Sequence, residues 1–261
     1  MNEVIHTLLS HRSIRSYEER PVEEEVLEQI IKAVQAAPNW VNLQHVSVIA
    51  IKEKQNREKF AALCGKQTHI ARAPIFLIFC ADFYRTWLAC REKGQDFDSV
   101  VSQIDNIIVG ANEVGIALGT AVAAAESYGL GTVPIGDIRL HALTVIEELN
   151  LPKYVVPMLG LCIGYPAENP GIKPRLPKEA VYFEEKYNSN IAPLLAQYDE
   201  IYAKYLKERP WNHRVGNWTQ LAADFYKPPY NHYPEVPEML RQQGFLPAEP
   251  DRIGEKGEKL Q

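Results

Sequence analysis

Three cationic or potentially cationic side chains and a hydroxyl fall within five residues at His11-Arg12-Ser13-Ile14-Arg15. Donors set two residues apart suit one compact, doubly charged anion such as a phosphate monoester better than an extended acidic surface. Taken alone, the run fits a solvated basic turn at a helix end equally well. Ser13 beside His11 could also be a nucleophile and its base, but no third group orients the imidazole and two neighbouring arginines oppose its protonation. A second basic pair, Lys173 and Arg175, stands far along the chain in a proline-rich stretch. Between the two lie a polar loop from Asn39 to Gln44, the amide Gln67 and a glycine-broken run from Gly131 to Gly136. Cations, amides and close-approach glycines dispersed in this way are a plan for holding a large polar cofactor.

Composition narrows the alternatives. The 261 residues are 46% hydrophobic and 23% charged, as in an ordinary globular protein, with a formal charge of −5 that argues against wrapping nucleic acid or lying on an anionic membrane. The four cysteines, Cys64, Cys80, Cys90 and Cys162, form no C-x-x-C pair, and no metal site is expected. Met1 leads into Asn2 and Glu3 rather than a basic region with an apolar core, so no secretory signal and a cytoplasmic location are expected. Phosphate-loop, G-x-G-x-x-G, H-E-x-x-H and G-x-S-x-G patterns are all missing.

The elements that must position these residues follow from periodicity. Val4, Ile5, Leu8 and Leu9 share a helical face that ends where the basic cluster begins, and Pro21 with Glu23, Glu24 and Glu25 starts a second helix whose stripe runs to Val34. Residues 45–51 alternate as a strand, 54–64 form an exposed amphipathic helix, and 73–80 are apolar on both faces, as in a central strand. The longest helix is predicted over 103–128. Its small residues Gly110, Ala111, Gly115, Gly119 and Ala123 make a seam where another helix should cross. A cap and short strand follow at 129–136, a short helix at 140–149, a buried strand at 155–164 and a helix at 190–208. Residues 211–233 read as aromatic and irregular, and the last dozen as a polar, disordered tail. The expected organisation is a core over 1–177, an extension over 178–250 and a tail over 251–261.

Four motifs, HRSIRSY, AAPNWVNLQ, GLGTVPIGDIR and GLCIGYPAENPGIKPRLP, occur in the order and spacing of the nitroreductase-like flavoproteins. The resemblance runs from about residue 3 to residue 220 and is strongest to the branch of NADPH-dependent flavin reductases and oxygen-insensitive nitroreductases. It implies an α+β fold in which a mixed, mostly antiparallel sheet packs with helices. It also implies a long central dimer-interface helix, an extended C-terminal excursion, and a homodimer with two FMN molecules at the subunit interface.

Residue by residue, the resemblance puts His11, Arg12 and Ser13 at the FMN phosphate together with Lys173 and Arg175. Arg15 falls at the N1 and O2 edge of the ring, where reduction places negative charge that a fixed cation favours. Gln67 pairs with the pyrimidine edge, and Asn39 and Asn42 lie in the loop beside the flavin. Pro134, Ile135 and Gly136 cover one ring face, with the Gly136 N–H directed at N5. Arg209 and Arg214, ahead of Trp218, match the groups that hold NADPH.

The resemblance further implies two-electron, ping-pong transfer from NADPH through FMN to small acceptors such as quinones, nitroaromatics, azo compounds or free flavin. Relatives usually carry small hydroxyl residues at Asn39 and Trp40 and a small residue at Asp137, so Trp40 narrows the site or merely packs, and Asp137 opposes part of the effect of Arg15. Two other readings stay open here: a flavin reductase that supplies reduced FMN to a partner enzyme, and a flavin-binding redox sensor without turnover.

Overall fold

In the computed structural model, which describes residues 1–247, Asn2 opens the first helix: its side chain accepts the Ile5 N–H (3.0 Å), and α1 spans Glu3–Leu9. The acidic first turn expected after Pro21 belongs to α2, Glu24–Gln35, whose buried stripe is Leu27, Ile30 and Val34. There follow β1 (Val46–Ile51), α3 (Lys54–Leu63), α4 (Thr68–Arg72), β2 (Ile75–Asp82), α5 (Tyr84–Glu92) and α6 (Asp98–Val101). The long helix α7 spans Ile104–Ser127, then come β3 (Gly131–Ile135), α8 (Ala142–Glu148), β4 (Val155–Gly164), α9 (Ala192–Glu208), α10 (Trp218–Phe225) and α11 (Val236–Gln242).

The sheet has the order β1-β2-β4-β3, antiparallel at every pair, with Val48 opposite Phe79, Leu77 opposite Leu161 and Val133 opposite Cys162. An isolated parallel bridge between Ser13 and Thr132 extends it, which makes the pattern mixed but mostly antiparallel. All eight residues of β2 are buried, as a strand with apolar layers on both sides requires. Leu77, Phe79 and Ala81 enter a core shared with α2 and α7, while Phe76, Ile78 and Cys80 enter one shared with Phe60 of α3, Ile70 of α4 and Val145 of α8. The two-residue alternation of a strand therefore feeds two cores, with each full-sized apolar side chain contributing ~1.5–3 kcal/mol of burial.

Several expectations change. Among the described residues no helix crosses the α7 seam at Gly115 and Gly119. A Cβ on Gly110 would meet Ala81 Cβ at 2.8 Å, so this glycine lets α7 lie against β2, whereas Gly115 and Gly119 face open space. With Ile104, Ile108 and Ile116 exposed, they leave an apolar strip on α7. By length and mean hydropathy (1.7 over its most apolar part) α7 would be long enough to cross a bilayer, but it packs against α2 and β2 and buries a carboxylate, Glu113. The helix over 54–64 is less exposed than expected, since Phe60, Ala61 and Cys64 are buried.

The segment 211–233 is not irregular throughout. Asn217 caps α10 by accepting the Gln220 N–H (2.9 Å), and Asp199 of α9 accepts the Thr219 N–H (2.9 Å). Helices α5, α6 and α11 also lie where periodicity is short or masked by aromatic residues, and α11 holds its place by burying Met239. The tail expected over 251–261 lies outside the described residues.

Candidate cofactor site

The basic cluster is held as a short extended strip. Ile14 is buried, its N–H donates to the Thr132 carbonyl (2.9 Å), and Ser13 bridges Thr132, so the side chains of 11, 13 and 15 fall on the opposite side from Ile14. Gly131 makes this approach possible, because a Cβ there would meet Ile14 Cβ at 2.8 Å. The proline-rich connection returns to the same place through Tyr198, whose hydroxyl donates to the Pro174 carbonyl (2.8 Å). A cavity of about 460 Å³ results, lined by His11, Arg12, Ser13, Arg15, Lys173, Arg175 and Arg209.

Among the described residues no carboxylate lines this cavity. Burial, reinforced by Arg15, Arg175 and Arg209, holds the Lys173 ammonium below the usual lysine range. Arg12 Nε and Arg209 Nε are buried with no hydrogen-bond partner among the described residues. Such a set lacks an anion, and it is spaced for one with several acceptor oxygens.

Three acidic or basic partners of the strip were not legible in the sequence. Glu126 of α7 accepts from His11 Nδ1 (2.7 Å) and from the Thr132 hydroxyl (2.8 Å), which fixes the proton on Nδ1 and leaves Nε2 as the other ring nitrogen to offer a ligand. Glu168 accepts the backbone N–H groups of Arg15 (2.5 Å) and Ser16 (3.0 Å), pinning the strip from the proline-rich side. His69, at the start of α4, is pushed down to about 4, chiefly by burial and then by the Arg15 charge, so it stays neutral near physiological pH. The separation between His11 and Glu126 explains the omission: no local pattern links them. Glu168 did lie inside a quoted motif, GYPAENPG, where its role was not visible.

From the Ser13 bridge, β3 leads away from the cations toward Gly136, four residues or about 13 Å on. Pro134 is exposed on the way, whereas the Ile135 side chain is buried in the core, so only the backbone of Ile135 can meet a ligand. At the far end Gln67 Nε2 donates to Asp137 Oδ2 (2.8 Å), and the Tyr233 hydroxyl donates to Asp137 Oδ1 (3.1 Å). A Cβ on Gly136 would lie 2.8 Å from that hydroxyl. Burial and the Asp137 bond hold the Tyr233 phenol above its usual range, so it remains a donor. His232 and Tyr233 were not anticipated.

The loop expected beside the same ligand is elsewhere in the chain. Asn39 shapes its own turn by accepting the Gln44 N–H (3.2 Å), Asn42 is held in the left-handed region (φ 58°), and neither lines the basic cavity. The loop hangs on Glu113, which accepts the Trp40 N–H (3.0 Å), the His45 N–H (2.9 Å) and His45 Nδ1 (3.1 Å). Trp40 is exposed rather than packed in a core. Arg214, unlike Arg209, is exposed and stands outside the cavity.

An antiparallel sheet with a cation cradle at one end of β3 and an amide, a glycine and a carboxylate at the other defines an α+β protein shaped for an elongated, phosphate-bearing cofactor. Comparison with known proteins makes the class specific. The family model for the nitroreductase family matches residues 8–165, and that for its C-terminal domain matches residues 173–247. The chain belongs to the nitroreductase family. It is 47% identical to the FMN reductase [NAD(P)H] of Bacillus subtilis (strain 168), over 94% of this chain and 98% of the relative. It is 38% identical to the oxygen-insensitive NADPH nitroreductase of Salmonella typhimurium, over 94% of this chain and 99% of that protein. Among solved structures it resembles B. megaterium NfrA2 (TM-score 0.91, 44% identity, covering 94% of this chain and 99% of that one). It also resembles the NADPH:FMN oxidoreductase of Vibrio harveyi complexed with NAD+ (TM-score 0.82, 31% identity, covering 93% and 98%).

Proposed function

We propose that the protein is an FMN-dependent oxidoreductase that draws electrons from NADPH and passes them to small acceptors. The observation that carries this is the carboxylate-free cavity, with Arg12 Nε and Arg209 Nε unpartnered and Lys173 held among three guanidinium groups. Its donor set fits a phosphate monoester, and β3 supplies a rail long enough for a ribityl chain between that cavity and Gly136. When bound, FMN would supply two-electron redox chemistry between NADPH and a quinone, nitroaromatic, azo compound or free flavin.

The chain contributes binding, orientation and charge. His11, Arg12, Ser13, Lys173 and Arg175 hold the phosphate, with Glu126 keeping His11 in one tautomer. Glu168 fixes the backbone from which Arg15 extends its charge along the ring edge where reduction places negative charge. Gln67 meets the pyrimidine edge, and Pro134, the Ile135 backbone and Gly136 form the wall against one ring face. Arg209, which lines the same cavity, and Arg214, exposed outside it on the same extension, meet the phosphates of NADPH.

The reading makes the enzyme a cytoplasmic homodimer. Its support is the apolar strip of α7, with Gly115 and Gly119 open to close approach and Ile104, Ile108 and Ile116 exposed. In this reading Asn39 and Asn42 act across the dimer, each subunit offering its loop to the site of the other, and the tie between that loop and α7 through Glu113 supports it.

The visible spectrum of the purified protein with FMN, before and after anaerobic NADPH, tests the reading. Flavin absorbance that bleaches with NADPH and returns with added quinone is the expected result. A protein that stays colourless with excess FMN would refute it.

A further inference from the structure

Asp137 gathers an unusual number of donors for a side chain at the edge of the site. Gln67 Nε2 reaches one carboxylate oxygen at 2.8 Å, and the Tyr233 hydroxyl (3.1 Å) and His232 Nε2 (3.5 Å) reach the other. The turn before Gln67 is pressed close, since a Cβ on Gly65 (φ +70°) would stand 3.3 Å from Asp137 Oδ2. The guanidinium of Arg139 lies over the Tyr233 ring, 4.7 Å from its centre, and supports the ring from behind.

The chemistry of the pair decides which way the Gln67 amide faces. A carboxamide presents two N–H donors on one side and a carbonyl acceptor on the other, and a half-turn exchanges them unless a neighbour discriminates. An aspartate carboxylate only accepts, so Gln67 must give it an N–H and turn Oε1 the other way. An asparagine or a small residue at 137 would leave the amide free to rotate.

Building on the FMN reading above, we propose that Asp137 is a positioning residue that makes Gln67 an acceptor toward the cofactor. The isoalloxazine pyrimidine edge carries one donor, the imide N3–H, between two carbonyl acceptors. Gln67 Oε1 takes that N3–H, while Tyr233 meets only the opposite carboxylate oxygen. The residue thus recognises the imide hydrogen without touching the ring.

Equilibrium titration of the apo-protein with FMN and with 3-methyl-FMN, which replaces the imide hydrogen by a methyl group, tests the assignment without relying on turnover. Wild type should prefer FMN. In Asp137→Asn and Asp137→Ser that preference should shrink by on the order of tenfold, the worth of one hydrogen bond, mainly through weaker FMN binding. Tyr233→Phe leaves the Gln67 contact intact and should retain the preference. An unchanged preference in both Asp137 variants would overturn the assignment while leaving the FMN reading standing, and so would an equal loss in Tyr233→Phe, which would mark general collapse of the corner. Wild type that binds neither flavin would overturn both.

Discussion

Removing the cradle cations should weaken FMN without affecting riboflavin. Lys173 and Arg175 line the same cavity as His11 and Ser13, where a phosphate would meet all four. A hydrogen bond to a charged group is worth ~1.5–3 kcal/mol, or about 10–150-fold in affinity. Both residues reach solvent, although the Lys173 ammonium is partly shielded, so solvent screening puts each at the low end: Lys173→Ala or Arg175→Ala should weaken FMN about tenfold. Quenching of flavin fluorescence on titration gives the constants. Riboflavin, which lacks the phosphate, should bind the variants and wild type alike, and raising salt should narrow the gap between FMN and riboflavin. The pH dependence carries a definite sign. The folded apo-protein holds Lys173 below its usual range, so in that window the unfolded chain binds more protons and apo stability rises with pH. FMN binding runs the other way, because the phosphate needs the ammonium, and weakens as pH climbs through the lowered value. Lys173→Arg should flatten this slope. Equal weakening of FMN and riboflavin in the alanine variants would refute the cradle, since it would mean that the cations support the fold and not a phosphate.

Glu113 and His69 yield two further tests. Glu113→Ala would strand the N–H groups of Trp40 and His45 and the buried His45 ring, a loss of ~3–5 kcal/mol. At roughly 2–4 °C per kcal/mol for a chain of this size, melting should fall by about 6–20 °C, and a fall within 1 °C of zero would show that the loop is held some other way. His69 is depressed to about 4, so between the ordinary imidazole value and that point the unfolded chain takes up a proton that the fold refuses. Apo stability should therefore fall as pH drops from about 6.5 toward 4. His69→Gln should reduce that slope in melting curves taken across the range, and identical slopes would contradict a buried neutral imidazole.

Much of this protein was legible in one dimension because its signals are local. The alternation of β1, the unbroken apolar run of β2 and the stripe of α2 each report a neighbour of known kind, and a strand or helix period is set within a few residues. That the cations at 11–15 and 173–175 belong to one anion site followed from the resemblance of the motifs that carry them, since neither run points to the other by itself. Where aromatic residues crowded the pattern, as in α10, the helix period was masked, and the cap at Asn217 emerged only in the structure.

The remaining decisions were made by the tertiary structure. Sequence alone determined which residues carry charge, amide or glycine, and roughly which elements bear them. It could not give Glu126 to His11, Glu168 to the backbone of Arg15, or Glu113 to the Asn39–Gln44 loop, because each of those pairs is separated by dozens of residues and forms only when the sheet and α7 are packed. Nor could it show that the Gly110 face of α7 is taken by β2 while the Gly115 and Gly119 face stays open, or that Asp137 is tied to both Gln67 and Tyr233. A hydrogen bond depends on position and direction in space, and those are fixed by packing, whereas the periodicity that betrays an element is written along the chain itself.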